Sequence, residues 1–267
     1  MSRATTLDAA SGQVAVFSAR APDKESANED AAAVIFQGPD DAVLLVADGV
    51  GGQPAGQQAS EVTLHILRDA LEDASRKGVE TRDAILNGIE AANEAVIGLG
   101  SGAATTLAVV EIRENIVRPY HIGDSMIIVT GQRGRLKLQT ISHSPVGYAV
   151  EAGFLDEEEA IHHDERHLVS NVIGNVDMRI EIGSAIELAQ KDTLILATDG
   201  LFDNLSVTEI IEIIRKGRLK PAADRLARSC IRRMSGEPAD RPGKPDDLTF
   251  ILFRRGARRS NNKERAD

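Results

Sequence analysis

The sequence has almost no cysteine, no tryptophan and few aromatics, and each shortage removes a class of function. One cysteine, Cys230, among 267 residues closes no intrachain disulfide and supplies no Cys-rich zinc site, so the expected setting is a reducing cytoplasm. Aromatic residues make up 3% of the chain, which leaves Ala, Val, Ile and Leu to build the core and provides few stacking platforms for single-stranded nucleic acid. Basic residues are outnumbered, 31 Lys and Arg against 41 Asp and Glu for a formal charge of -10, so a phosphate backbone is repelled. Long apolar runs are missing too. The stretch 42–47 falls far short of a membrane span, and the N-terminus shows no basic-then-apolar leader pattern. Neither nucleic acid nor a membrane is an expected partner. The chain has no G-x-x-x-x-G-K-[ST] and no G-x-S-x-G, and Pro54 stands where the third glycine of a dinucleotide fingerprint starting at Gly49 would fall.

What remains is an ordinary globular composition, 42% hydrophobic and 27% charged, long enough for one domain with a sizeable core. We place that domain at 1–254, with a basic, solvated and disordered tail at 255–267. Short apolar or β-branched runs at 14–17, 31–36, 43–47, 107–112, 116–121, 127–130, 136–140, 194–198 and 248–253 read as strands. Segments 56–77 and 81–99 carry apolar residues at helical spacing, and two later helices are expected at 207–215, capped by Ser206, and at 221–234. The mixture is α+β. Hairpin-like spacing from 107 to 140 predicts one antiparallel meander. The polar, His-rich segment 142–174, with a short acidic helix at 156–163, reads as a flap over the scaffold.

Acids stand at the ends of these runs: Asp48-Gly49, Gly123-Asp124, Asp199-Gly200, Asp246-Asp247, and Asn28-Glu29-Asp30 just before 31–36. A single Asp-Gly at a strand end is an ordinary turn. Several carboxylates gathered at one rim of a sheet repel one another unless divalent cations neutralise them, and an all-oxygen set suits Mg²⁺ or Mn²⁺. His163 and His167 have the i, i+4 spacing of a zinc helix. Asp164 replaces the glutamate that motif needs, however, and no third ligand follows, so the pair reads as part of a solvated flap.

Taken in order, these residues resemble the metal-dependent protein phosphatases, the type 2C serine/threonine phosphatases, in their compact bacterial form. The resemblance rests on Asn28-Glu29-Asp30, Val46-Ala-Asp48-Gly49-Val-Gly-Gly52, Gly102-Ala-Ala-Thr105-Thr106-Leu, His121-Ile-Gly123-Asp124-Ser125, Ala197-Thr-Asp199-Gly200-Leu-Phe-Asp203 and Asp246-Asp247-Leu-Thr249, with 163–174 similar to the flap's return to the core. It implies a four-layer αββα sandwich of two antiparallel sheets flanked by helices. It also implies two Mn²⁺ or Mg²⁺ ions, with a third in bacterial members. By motif position Asp48 bridges two ions; the Gly49 carbonyl and Asp30, with Glu29 nearby, hold one; Asp199 and Asp246 hold the other; Asp124 joins Asp199 at the third. Thr105 and Thr106 support the rim. The implied reaction is hydrolysis of phosphoserine and phosphothreonine monoesters by a metal-activated hydroxide, with Asp48 and Asp199 central to it.

Three positions depart from the family pattern. Glu25 stands where a phosphate-binding Arg or Lys is expected, which makes Lys24 the nearest replacement cation and Arg20 another. Met126 follows Gly-Asp-Ser in place of Arg, and Val50 stands where some members have His. The implied partners are phosphorylated proteins, substrates of serine/threonine kinases, met by a monomeric enzyme. The departures leave a second reading, a pseudophosphatase that binds a phosphoprotein or regulatory partner without hydrolysis. A third is dephosphorylation of sigma-factor antagonists.

Overall fold

The computed structural model describes residues 3–10, 12–50, 55–100, 102–238 and 243–256. One antiparallel sheet runs β1 (Thr5–Ala9), β2 (Gly12–Ala19), β13 (Leu248–Arg255), β12 (Thr193–Ala197), β8 (Met126–Thr130) and β9 (Leu136–Gln139). The other runs β10 (Glu181–Ile182), β7 (Ile116–Ile122), β6 (Leu107–Arg113), β4 (Asp41–Val50) and β3 (Asp30–Phe36); β11 (Ile186–Glu187) joins β7, and β5 (Ala104–Thr105) joins β4. Strand β13 continues to Arg255, and the tail expected beyond it, 257–267, lies outside the described residues.

The period of two along each strand explains the layering. In β4, Leu44 and Val46 face Val110, Val129, Leu196 and Phe253 in a core between the sheets. Their neighbours Val43, Leu45 and Ala47 face outward onto Leu67, Leu71, Ile85 and Ile89. Those last residues come from α1 (Ala55–Lys77) and α2 (Thr81–Leu99). On the opposite side Phe17, Ile195 and Phe250 meet Ile210, Ile214 and Leu226 of α6 (Val207–Ile214) and α7 (Leu219–Met234). Central strands thus bury both faces, which is why their sequences are continuous apolar runs with no polar alternation. The result is the four-layer αββα sandwich.

Local signals account for the helix starts. Ser206 accepts from Glu209 N–H while the Glu209 side chain accepts from Ser206 N–H, a capping box that begins α6 where expected. In the flap, Ser144 caps α3 (Pro145–Glu151) and Asp156 caps α4 (Glu157–Ile161). A 3-10 turn, Asp164–His167, follows. His163 and His167 bond backbone groups of that turn through their Nδ1 atoms, and there is no α-helical face for them to share.

The expected single meander is corrected. Strands β6 and β7 pair in one sheet and β8 and β9 in the other, so the chain changes sheet at 123–125. The physical reason is that β8 buries Ile127 and Val129 between the sheets and Ile128 against the helices, a place available only beside β12. Gly123, with φ +99°, makes the crossing beneath Thr106, where a Cβ would lie 2.7 Å from the Thr106 side chain. Asp124 therefore sits at a passage between sheets, with no hairpin turn there.

Candidate active site

The hairpin β3–β4 sets Asp30 directly opposite Asp48. Beyond Asp48 the chain holds its course through paired threonines. Asp48 C=O accepts from Thr105 Oγ1 (2.7 Å) and from Thr106 N–H (2.8 Å), and Asp48 N–H donates to Thr106 Oγ1 (3.2 Å). Thr106 in turn bonds Ser125 at 2.7 Å, beside Asp124. Gly49 N–H donates to Glu29 C=O at 3.2 Å, and the same carbonyl accepts from Ser60 of α1 at 2.6 Å. Asp30 accepts from Thr198 Oγ1 at 3.0 Å, which ties this sheet to the end of β12 in the other.

Immediately after Thr198, α5 (Asp199–Phe202) begins, and one helical turn brings Asp203 next to Asp199. Lys244 projects between them: its Nζ lies 2.9 Å from Asp199, 2.7 Å from Asp203 and 3.2 Å from Asp246. Gly200 makes the approach feasible, since a Cβ there would lie 1.9 Å from the Asp247 carbonyl oxygen. Asp124 closes the group from the sheet crossing.

Lys24 occupies the neighbouring edge. Its Nζ is 2.8 Å from Glu29 Oε2 and 2.6 Å from Asp247 Oδ2, while Asp247 also accepts from the backbone N–H of Ala21 (2.8 Å) and Glu29 (2.7 Å). Glu25 is exposed. Arg20, also exposed, donates to the Glu25 carbonyl at 3.4 Å. Met126 lines an apolar cavity of about 410 Å³ with Val146, Ile161 and Phe202, between the flap and the acids Asp124, Asp199 and Asp203.

Burial raises the pKa of Asp48 well above the carboxylate range, and Asp30, Asp199, Asp124 and Asp246 raise it further. Burial does the same to Asp30 and Asp124, with Asp199 adding to both. Asp203 is pushed up to about 7 and Asp246 to about 6, again by burial first and Asp199 next. Burial opposes charge on Lys244 and Lys24, yet their carboxylate partners outweigh it and both are raised. Such a cluster is short of positive charge. Oδ1 of Asp30 and Oε1 of Glu29 are buried with no partner among the described residues, although buried oxygens of this kind normally have one. Hard divalent cations fit this donor set, which is carboxylate and carbonyl oxygen throughout.

A second group of potential ligands, His121, His143 and Glu181, is a brace. His143 Nδ1 accepts from Gly123 N–H (3.1 Å) and Asn171 Nδ2 (2.9 Å), so Nε2 carries the hydrogen and donates to Glu181 at 3.0 Å. Its ring stacks on His121 at 4.3 Å. The brace fastens the flap root to the crossing that carries Asp124. The flap's return also docks on the site, where Ile173 and Thr105 exchange backbone bonds of 2.9 and 3.1 Å.

The acids expected from the sequence, Glu29, Asp30, Asp48, Asp124, Asp199 and Asp246, lie along this one rim with Gly49 and Lys24. Sequence reasoning missed Asp203 and Lys244 as members. The i, i+4 spacing from Asp199 was a usable signal for the first; Lys244 had only its two-residue distance from Asp246.

The family model for protein phosphatase 2C matches residues 20–233. The protein phosphatase PhpP of Streptococcus pneumoniae is 34% identical over 180 residues, 64% of this chain and 72% of that protein. The serine/threonine phosphatase of S. agalactiae superposes with a TM-score of 0.76 at 27% identity, covering 91% of this chain and 99% of that one. The catalytic domain of the serine/threonine protein phosphatase PstP, solved in complex with two manganese ions, gives a TM-score of 0.69 at 26% identity over 90% and 96%.

Proposed function

The chain belongs to the protein phosphatase 2C family and is a protein serine/threonine phosphatase, and from that premise we propose how its acid rim works. The observation that carries the reading is the convergence of buried and half-buried carboxylates from β3, β4, the sheet crossing, α5 and the loop before β13, with Oδ1 of Asp30 and Oε1 of Glu29 lacking a partner among the described residues. Asp48 and Asp30 with the Gly49 carbonyl, and Glu29 close by, would hold one divalent ion; Asp48 with Asp199 and Asp246 would hold a second; Asp124 with Asp199 would serve a third. Bound Mn²⁺ or Mg²⁺ supplies the charge that admits a phosphate dianion and the acidity that makes water a nucleophile near neutral pH. The chain's own part is to fix the oxygens: Thr105 and Thr106 anchor the Asp48 peptide, Thr198 orients Asp30, and the histidine brace steadies the turn before Asp124.

The expected result for the purified full chain is phosphate release from a phosphothreonine peptide in Mn²⁺ or Mg²⁺, abolished by a chelator and restored by returning the metal. Sustained turnover in chelator overturns the reading. The named relatives are all phosphatases, which favours hydrolysis over a non-hydrolysing binder. The substrate class is phosphoproteins, and we place the targets among products of serine/threonine kinases. The buried, unpaired Cys230 suits a cytoplasmic setting.

Lys24 fills the role of the phosphate cation that Glu25 cannot. Its ammonium is turned toward the acids, while the charge of Glu25 points into solvent and is screened. Lys24→Met should raise KM for a small phosphate ester several-fold with kcat nearly unchanged. An unchanged KM with a lowered melting temperature would make Lys24 a counter-ion for Asp247 and Glu29 only.

A further inference from the structure

Lys244 is placed as no surface lysine would be. An ammonium has three N–H donors and no acceptor, and here three carboxylates, Asp203, Asp199 and Asp246, stand 2.7, 2.9 and 3.2 Å from it. Two of the three are the oxygens assigned above to a divalent ion. The position of the side chain is built from its main chain outward. Buried Asn204 donates to Lys244 C=O at 2.8 Å and accepts from Lys244 N–H at 2.9 Å, and it is itself held to Gly200 C=O at 2.9 Å. The root of the residue is thus clamped to α5, and only the flexible four-carbon stem is left to move.

We propose that Lys244 is a built-in counter-cation of the acid cluster: it binds Asp199, Asp203 and Asp246 in the metal-free protein and must swing out when a divalent ion takes that position. The inference rests on the metal assignments made above and adds to them a competitor carried by the chain itself. Ammonium and metal compete for the same carboxylates, of which Lys244 takes the Oδ2 oxygens. Two like charges within a few ångströms repel, and each carboxylate lone pair used by one is lost to the other. The ion held by Asp199 and Asp246 should therefore be the weaker, while the ion beside Asp30, whose Oδ1 has no partner among the described residues, should be the tighter. The lysine also keeps the metal-free chain folded, by supplying positive charge where buried acids would otherwise face one another.

The test uses the full chain stripped with chelator. Mn²⁺ titrated by calorimetry into Lys244→Met should bind its weaker ion at least tenfold more tightly than wild type does, and the variant should melt several degrees lower in chelator. Should Lys244→Met fail to fold without metal, the wild type alone decides. Reductive methylation followed by mass spectrometry should modify Lys244 faster in saturating Mg²⁺ than in chelator, because the ammonium is freed. Equal Mn²⁺ affinity in the two proteins, or equal labelling of Lys244 with and without Mg²⁺, overturns the inference. A wild type that takes up no Mn²⁺ overturns the metal reading itself, a result distinct from tight uptake that ignores the lysine.

Discussion

Asp48→Asn should lower kcat on a phosphothreonine peptide at saturating Mn²⁺ by about three orders of magnitude, close to 4 kcal/mol on the barrier, and should raise the melting temperature of the chelated protein. The two effects have one cause. Asn keeps the shape of the side chain and leaves the peptide anchored by Thr105 and Thr106, so what changes is one charge. In the metal-free state that charge is buried among Asp30, Asp199, Asp124 and Asp246, all of which oppose its ionisation, and removing it relieves repulsion. In the loaded enzyme the same charge would help hold the metal, and losing it would raise the pKa of the water the metal activates. A packing defect would lower both activity and stability. Kinetics on the peptide and thermal unfolding in chelator separate the cases, and a kcat within tenfold of wild type would take Asp48 out of the centre.

That opposition between stability and chemistry is also what made the site legible. Acids do not end one apolar strand after another by accident of folding, because each buried carboxylate costs free energy unless paired. The sequence pattern Asp48-Gly49, Asp124, Asp199-Gly200, Asp246 therefore survived translation into geometry: every one of these residues reaches the same rim. The core strands were equally readable, since 43–47, 194–198 and 248–253 bury both faces and are apolar apart from Thr198 and Thr249.

The parts that were not legible depend on partners far away in sequence. Nothing in 107–140 marks where the chain leaves one sheet for the other, because β7 and β8 both read as mainly apolar strands and β12, some seventy residues on, decides where β8 belongs. Strand β1, with the sequence TTLDA, has weak alternation and exists because β2 offers it an edge. The helix α5 is only four residues long and begins inside what reads as an Asp-Gly turn. Lys244 was invisible for a related reason. A lysine between two prolines in a polar loop looks solvated, and only the clamp from Asn204, forty residues earlier, brings it among the acids.

Gly49→Ala is expected to cost both fold and function, and the reason lies in the backbone. A Cβ at this position would stand 2.2 Å from the Gly56 carbonyl oxygen and 2.9 Å from the Glu29 carbonyl oxygen. Neither obstacle is a flexible side chain, so the end of β4 must separate from the start of α1. It cannot do so freely, because Gly49 N–H is bonded to Glu29 C=O and Ser60 of α1 is bonded to the same oxygen. Overpacking of this kind costs about 1–3 kcal/mol, and each kcal/mol shifts the midpoint of a chain this size by roughly 2–4 °C. The displaced carbonyl of Gly49 and the carboxylate of Asp48 would leave their positions together, so Mn²⁺ affinity and kcat should fall with the melting temperature. Gly38→Ala is the matched control: its new Cβ would find nothing closer than Asp41 Oδ2 at 3.7 Å, and it should leave all three quantities unchanged. A Gly49→Ala protein that melts early yet binds Mn²⁺ and turns over as wild type would show that the Gly49 carbonyl holds no ion, leaving that ion to Asp30, Asp48 and Glu29.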